Sequence, residues 1–150
     1  MKKRLAIYIS LILLIIFIYL FRFTAFLKKD PYLKINGQLI KVEIASGDQS
    51  RTKGLSDRLK LDPDTGMLFI FPVKNFYSFW MKDMRFPLDL IWISEDTVAE
   101  FIENAPPEGS NPQKIYIAPK PVNKVLEVNA GTVQKLNIQI GDKIEFKNIP

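Results

Sequence analysis

Leu5 to Phe21 is a run of seventeen residues with no charge and with Ser10 as its one small polar interruption, and Phe23 to Leu27 extends it beyond Arg22. Roughly 20 helical residues cross a hydrocarbon core, and an arginine near one end can snorkel to the headgroups. One N-terminal transmembrane helix is therefore expected. A cleaved secretory signal would carry small residues three and one before its cut, whereas Thr24 and Ala25 are adjacent. Residues 1–29 thus read as a cytoplasmic tip and an uncleaved signal anchor. No cysteine follows to carry a lipoprotein anchor. Lys2, Lys3 and Arg4 on one side nearly balance Arg22, Lys28 and Lys29 on the other. Translocating a short tail with three positive charges is the harder route. The expectation is a single-pass protein of the cell membrane whose body, residues 30–150, lies outside the cytoplasm.

Charge bears on partners. The formal net charge is +5, but Met1 to Asp30 holds six basic residues against one acid, which leaves the rest balanced at 15 and 15. A neutral body lacks the excess that phosphate backbones attract, so no nucleic-acid partner is expected. Cysteine and histidine are absent, removing the thiolate nucleophile, the imidazole base, disulfides and ordinary structural zinc sites. Neither a cofactor nor a metal is expected. Asp62-x-Asp64 lacks the other positions of a calcium loop and reads as part of a turn.

Within the body, Tyr32 to Ile35, Asn36-Gly37 and Gln38 to Ala45 form a hairpin signal, with Ile40, Val42 and Ile44 alternating against Lys41 and Glu43. Asp48 to Lys60 has no period-two pattern and predicts a short helix capped by Asp48 or Ser50. On that helix Arg51 and Arg58, seven apart, would share a face. Five strands are expected at Met67 to Phe71, Phe76 to Met81, Leu88 to Ile93, Val98 to Glu103 and Lys114 to Ala118. Lys124 to Val128 predicts another, Thr132 to Leu136 a helical turn, and Lys143 to Lys147 a closing strand. Pro106 to Pro112 reads as an exposed mobile loop. The fold class is mainly β, a β-rich α+β domain: a small barrel or two packed sheets with one or two short helices.

Arg51-x-x-Gly54-Leu55-x-x-Arg58, Gly66-Met67-Leu68-Phe69-x-Phe71, Phe79-Trp80-Met81-Lys82, Pro87-Leu88-Asp89, Leu126-Glu127-Val128 with Gly131, and Gly141-Asp142 occur in that order. The set closely resembles the domain-of-unknown-function 192 family over nearly all of Ile40 to Ile144. That resemblance implies a compact β-rich domain, often secreted or membrane-attached in prokaryotes, with no established catalytic activity. Two positions depart from the family pattern. Ser56 stands where methionine is usual, and Asp83-Met84 where asparagine-threonine is usual.

Several residues are candidates for a site. In a strand, Phe79 and Met81 would share one face and Trp80 and Lys82 the other. Trp80 is then either a platform for a sugar or other ring, flanked by Lys82 and Asp83, or a large core residue. Arg51 and Arg58 could clamp an anion or pair internally. Asp89 and Glu127 lie in apolar strands, where a carboxylate needs a partner, so arginine–carboxylate pairing is the expected account of all four. Among Asp83, Asp89, Glu100, Glu103 and Glu127 no spacing picks out a glycosidase pair. Ser56 or Ser78 with Lys53, Lys60 or Lys82 lacks any nucleophile-elbow motif. The expectation is a non-enzymatic envelope module that binds a glycan, another small molecule or an envelope protein. The alternatives are a carboxylate-based envelope hydrolase and a structural subunit of a membrane complex.

Overall fold

The computed structural model describes the backbone of residues 2–26 and 30–150, and the side chains of residues 8–21 and 30–150. The chain divides into two units, residues 1–30 and 31–150. The first is one helix, α1 (Lys2–Phe26), 25 residues long. Its described side chains are all exposed. Among the described residues no helix is long and apolar enough to cross a membrane. The spanning role read from the sequence therefore gains no support from them. The basic flanks Lys2 to Arg4, Arg22, Lys28 and Lys29, on which orientation was argued, lie outside the described side chains, as do Thr24 and Ala25.

The second unit is mainly β. Its elements are β1 (Tyr32–Ile35), β2 (Gln38–Ala45), α2 (Asp48–Lys53), β3 (Thr65–Asn75), β4 (Ser78–Phe79), β5 (Leu88–Ser94), β6 (Thr97–Ala105), β7 (Tyr116–Ile117), β8 (Val122–Asn129), α3 (Thr132–Lys135) and β9 (Ile144–Lys147). Seven strands form one sheet in the order β6-β5-β8-β3-β2-β1-β9, and β4 pairs with β7 separately. Only β2 and β3 run parallel, because α2 carries the chain across between them. The other pairs are antiparallel.

The large sheet curls until its edges meet at one end. Thr97 bridges Lys143, Val98 N–H donates to the Asp142 carbonyl at 2.9 Å, and Ile144 N–H donates to the Asp96 carbonyl at 2.8 Å. The result is a half-barrel, which meets the barrel-like alternative rather than two stacked sheets. One apolar cluster draws on all seven strands, with Leu33, Ile40, Leu68, Ile91, Val98, Leu126 and Ile144 among its members, as the concave side of a curled sheet should. Val133 and Ile138 cover it from the α3 segment. A second cluster lies on the other face, where Met67, Phe69, Leu90, Trp92 and Val125 are covered by Leu55, Phe79, Met81 and Tyr116.

Local differences from the sequence reading have identifiable causes. The helix expected over Asp48 to Lys60 stops at Lys53, because Gly54 adopts φ 50° and ψ −136°, and Asp57 also has positive φ. Its N-cap is Gly47, neither Asp48 nor Ser50, although the Ser50 hydroxyl accepts from Gly47 N–H at 3.1 Å. Arg58 therefore lies outside the helix and shares no helical face with Arg51. The strand expected at Phe76 to Met81 pairs only over Ser78–Phe79, and that at Lys114 to Ala118 only over Tyr116–Ile117. Pro72 does not end β3, which passes it through an irregularity between Ile70 and Asn75. The Pro106 to Pro112 loop is docked: Glu108 N–H donates to the Met81 carbonyl at 2.9 Å, and Asp83 N–H to the Gly109 carbonyl at 3.3 Å.

Candidate functional site

The covered face of the sheet leaves a cavity of about 190 Å³ between β3, β8, the end of α2 and the β4 segment. Aromatic rings from Phe69, Phe71, Tyr77, Phe79 and Trp80 wall it. They are ordered by one another. Phe71 stacks on Tyr77 with centroids 3.5 Å apart, and Phe69 meets Phe79 edge-on at 5.0 Å. A wider and more open cavity of about 910 Å³ adjoins it, with the charged residues Asp48, Asp57, Lys82 and Asp83 in its lining. Thr52, Lys53, Ser56 and Trp80 line both.

Trp80 is the wall between them. The expected alternation holds: Phe79 and Met81 are buried, whereas Trp80 is 42% exposed. Trp80 is therefore not a core residue, and the core reading of it is corrected. The buried tryptophan is Trp92 on β5.

Glu127 is the buried acid in the lining of the aromatic cavity. It is on β8, between Met67 of β3 and Leu90 of β5, both buried. Only 5% of the residue is exposed. Among the described residues its carboxyl group has no hydrogen bond and no ion pair. Burial pushes its pKa up to about 8, against a smaller opposing pull from the Arg58 guanidinium. Burial thus favours its neutral acid form, which has an O–H to donate.

Both arginines pair internally with carboxylates, as the sequence reading expected, but neither pairs with Asp89 or Glu127. Arg58 makes a two-pronged ion pair with Glu43 instead, at 2.5 and 2.7 Å, and holds that carboxyl below its ordinary range. Arg51 pairs with Asp48 at 2.6 Å, donates to the carbonyls of Ser46 and Ile70, and lies over the Phe71 ring at 5.2 Å. Asp89 is fully buried and is satisfied by backbone, accepting from Asn104 N–H and Val133 N–H, each at 2.8 Å. Backbone donors on β6 and α3 thus stand where an arginine was expected.

Of the seven candidates, Arg51, Trp80 and Glu127 meet at the aromatic cavity, and Trp80, Lys82 and Asp83 at the wider one. Arg58 and Asp89 line neither. Ser56 donates its hydroxyl hydrogen to the Lys82 carbonyl at 2.8 Å, and the Lys53 ammonium pairs with Asp57, which leaves that serine–lysine arrangement committed elsewhere. Glu127 is the only carboxylate lining the aromatic cavity, so no glycosidase pair is assembled there. Among the described residues no cluster of three or more His, Cys, Asp or Glu could hold a metal ion.

Reading the sequence missed the ring of phenylalanines. Phe69 and Phe71 recur at period two in an apolar strand, which signals a buried face but not a face left open. Ser56, Asp83 and Met84, the positions that depart from the family pattern, all line one cavity or both. Asp83 keeps the positive φ (54°) that asparagine would also accept there.

Comparisons with known proteins agree with this fold. The model of DUF192, described as Uncharacterized ACR, matches residues 32–146. A crystal structure of a candidate transcription regulator from Sinorhizobium meliloti 1021 is 34% identical, with a TM-score of 0.71 over 79% of this chain and 93% of that one. A protein of unknown function from Novosphingobium aromaticivorans DSM 12444 is 30% identical, with a TM-score of 0.69 over 77% of this chain and 83% of that one. No curated protein matches. With the family model spanning nearly the whole β unit, and solved relatives sharing both sequence and architecture, the chain belongs to the DUF192 family.

Proposed function

We propose that this protein is a membrane-tethered binding module of the cell envelope, and that its β unit holds a sugar ring or similarly small organic ring against Trp80. The observation that carries this reading is the exposure of Trp80 between two buried neighbours, at the wall shared by an aromatic cavity and a wider one. A flat aromatic face beside hydroxyls and charges suits a pyranose, which has one apolar face and a polar edge. The aromatic cavity is small, so it takes one ring or the end group of a longer ligand, and the wider cavity takes what extends beyond. The uncharged run Leu5 to Phe21 inside a 25-residue helix supports the tether. The balanced charge of the body argues against a nucleic-acid partner for this chain, whatever the regulatory role of the Sinorhizobium protein.

A thermal-shift panel of envelope glycan fragments against the full chain in detergent tests the reading, because a ligand that binds only the native state raises Tm. A shift in the parent that is lost in Trp80→Ala supports it. A shift that Trp80→Ala retains, or none across the panel, counts against it.

A further inference from the structure

Glu127 is a buried acid with no hydrogen-bond partner in the lining of the aromatic-walled cavity, and two kinds of ligand group could meet it. An ammonium would pair with the carboxylate inside an aromatic cage, whereas an uncharged oxygen would accept a hydrogen bond from the carboxylic acid.

The surroundings separate the two. Arg51 and Lys53 of α2 already line the cavity, and Arg51 occupies a face of Phe71, one of the rings an ammonium would use. The Arg58 guanidinium acts on Glu127 from the segment after α2, but its hydrogen bonds go to Glu43 of β2. The acids that balance the α2 cations, Asp48 and Asp57, stand outside the aromatic cavity. On β5 the nearest acid, Asp89, is committed to backbone donors. On β3 the one charged residue, Lys74, pairs with Glu95, and on β8 itself Lys124 reaches the Glu95 carbonyl. The cavity offers an ammonium no second free carboxylate, and Arg51 already takes a face of its aromatic wall, whereas a neutral acceptor needs only the hydrogen of the acid.

We propose that Glu127 acts as a carboxylic acid that donates a hydrogen bond to an uncharged oxygen of the bound ligand, a carbonyl or a sugar hydroxyl. This rests on the reading of the cavity as a ligand site. It adds that binding is governed by protonation: affinity is full while the acid is intact and falls about tenfold per pH unit above its midpoint. Ligands bearing an ammonium at that end are excluded.

The test uses the full chain in detergent with its glutamates carbon-13 labelled, the Glu127 carboxyl resonance being assigned by its loss in Glu127→Gln. Three probes are added on either side of the Glu127 midpoint: acetamide, methyl β-glucoside and tetramethylammonium chloride. Acetamide is expected to move the Glu127 resonance on the acid side only, and tetramethylammonium on neither side. Saturation transfer to the acetamide methyl should fade with pH in the parent and persist in Glu127→Gln, whose amide still donates. Tetramethylammonium moving the resonance more strongly as pH rises would overturn the proposal in favour of a cation seat. Silence of all three probes would overturn it outright. Acetamide has no ring face, so its response tests Glu127 apart from Trp80. If acetamide binds and methyl β-glucoside does not, the sugar reading fails while this inference stands.

Discussion

A carboxyl group that stays neutral at the end of a buried strand costs the protein stability whenever it must ionise, and that cost has a sign that can be measured. The Glu127 pKa is raised from 4.5 to about 8, so between those values the unfolded chain has lost its proton while the folded chain keeps it. The folded state then binds more protons, and stability falls as pH rises through that window, levelling off above about 8. In urea titrations Glu127→Gln is expected to flatten this slope and to be more stable than the parent at the alkaline end. An unchanged slope would place the titrating group elsewhere. Arg58→Met should raise the Glu127 midpoint further, since the guanidinium charge is what pulls it down. Carbon-13 titration of the Glu127 carboxyl checks the direction. Gly66 is fixed by contact rather than by backbone angle: an added Cβ would lie 2.7 Å from the Glu127 carbonyl oxygen and 3.0 Å from Val128 Cγ1. Gly66→Ala is therefore expected to cost about 1–3 kcal/mol in a denaturation midpoint, because overpacking against backbone cannot relax cheaply. Trp80→Ala, at a half-open position, should cost far less than an equivalent cut at Trp92. At this scale the sequence pointed to Glu127 and Asp89 by their apolar surroundings, but not to their partners, which depend on how loops return to the sheet.

Elements whose character is set by their own residues were readable. The Asn36-Gly37 hairpin has its turn residues at positive φ, and β1 and β2 have the expected bounds. Strand alternation also assigned Phe79, Trp80 and Met81 to opposite faces correctly. What could not be read is where tertiary hydrogen bonds shorten or redirect a segment. Gly54 lies within the expected helix, and a glycine there does not by itself disclose that it takes φ 50° and ends the helix. The aromatic cavity depends on that early stop, because the chain from Gly54 to Ser56 forms part of its lining. Asp89 has a comparable role between elements, tying β5 to β6 and to the start of α3 through two backbone N–H groups. Asn at this position keeps one accepting oxygen for two donors. Asp89→Asn is expected to lose about 1–3 kcal/mol by chemical denaturation while leaving ligand response at Trp80 unchanged.

Across the whole molecule, sheet curl and composition divide the labour. One face of the half-barrel closes on itself and supplies stability, and the other is roofed incompletely by the segments around α2 and β4, which is where the cavities open. The sequence conveyed a β-rich domain and its length but not which face would remain open, since both clusters are built from the same alternating apolar residues. The helix at the other end of the chain belongs to the tether proposal. The full chain should sediment with membranes and resist high-salt extraction, and a chain lacking residues 1–29 should not. Release of the full chain by salt alone would refute the tether without touching the cavity. The central claim is that the site lies where Trp80 and Glu127 face the aromatic cavity, and the two tryptophans offer a direct test, Trp80 lining that cavity and Trp92 fully buried in the apolar cluster of the sheet. Indole N–H resonances recorded during titration with an envelope glycan fragment should show Trp80 moving in a saturable way while Trp92 stays in place. A ligand that moves Trp92 and leaves Trp80 still, or that binds without moving either, would contradict the account.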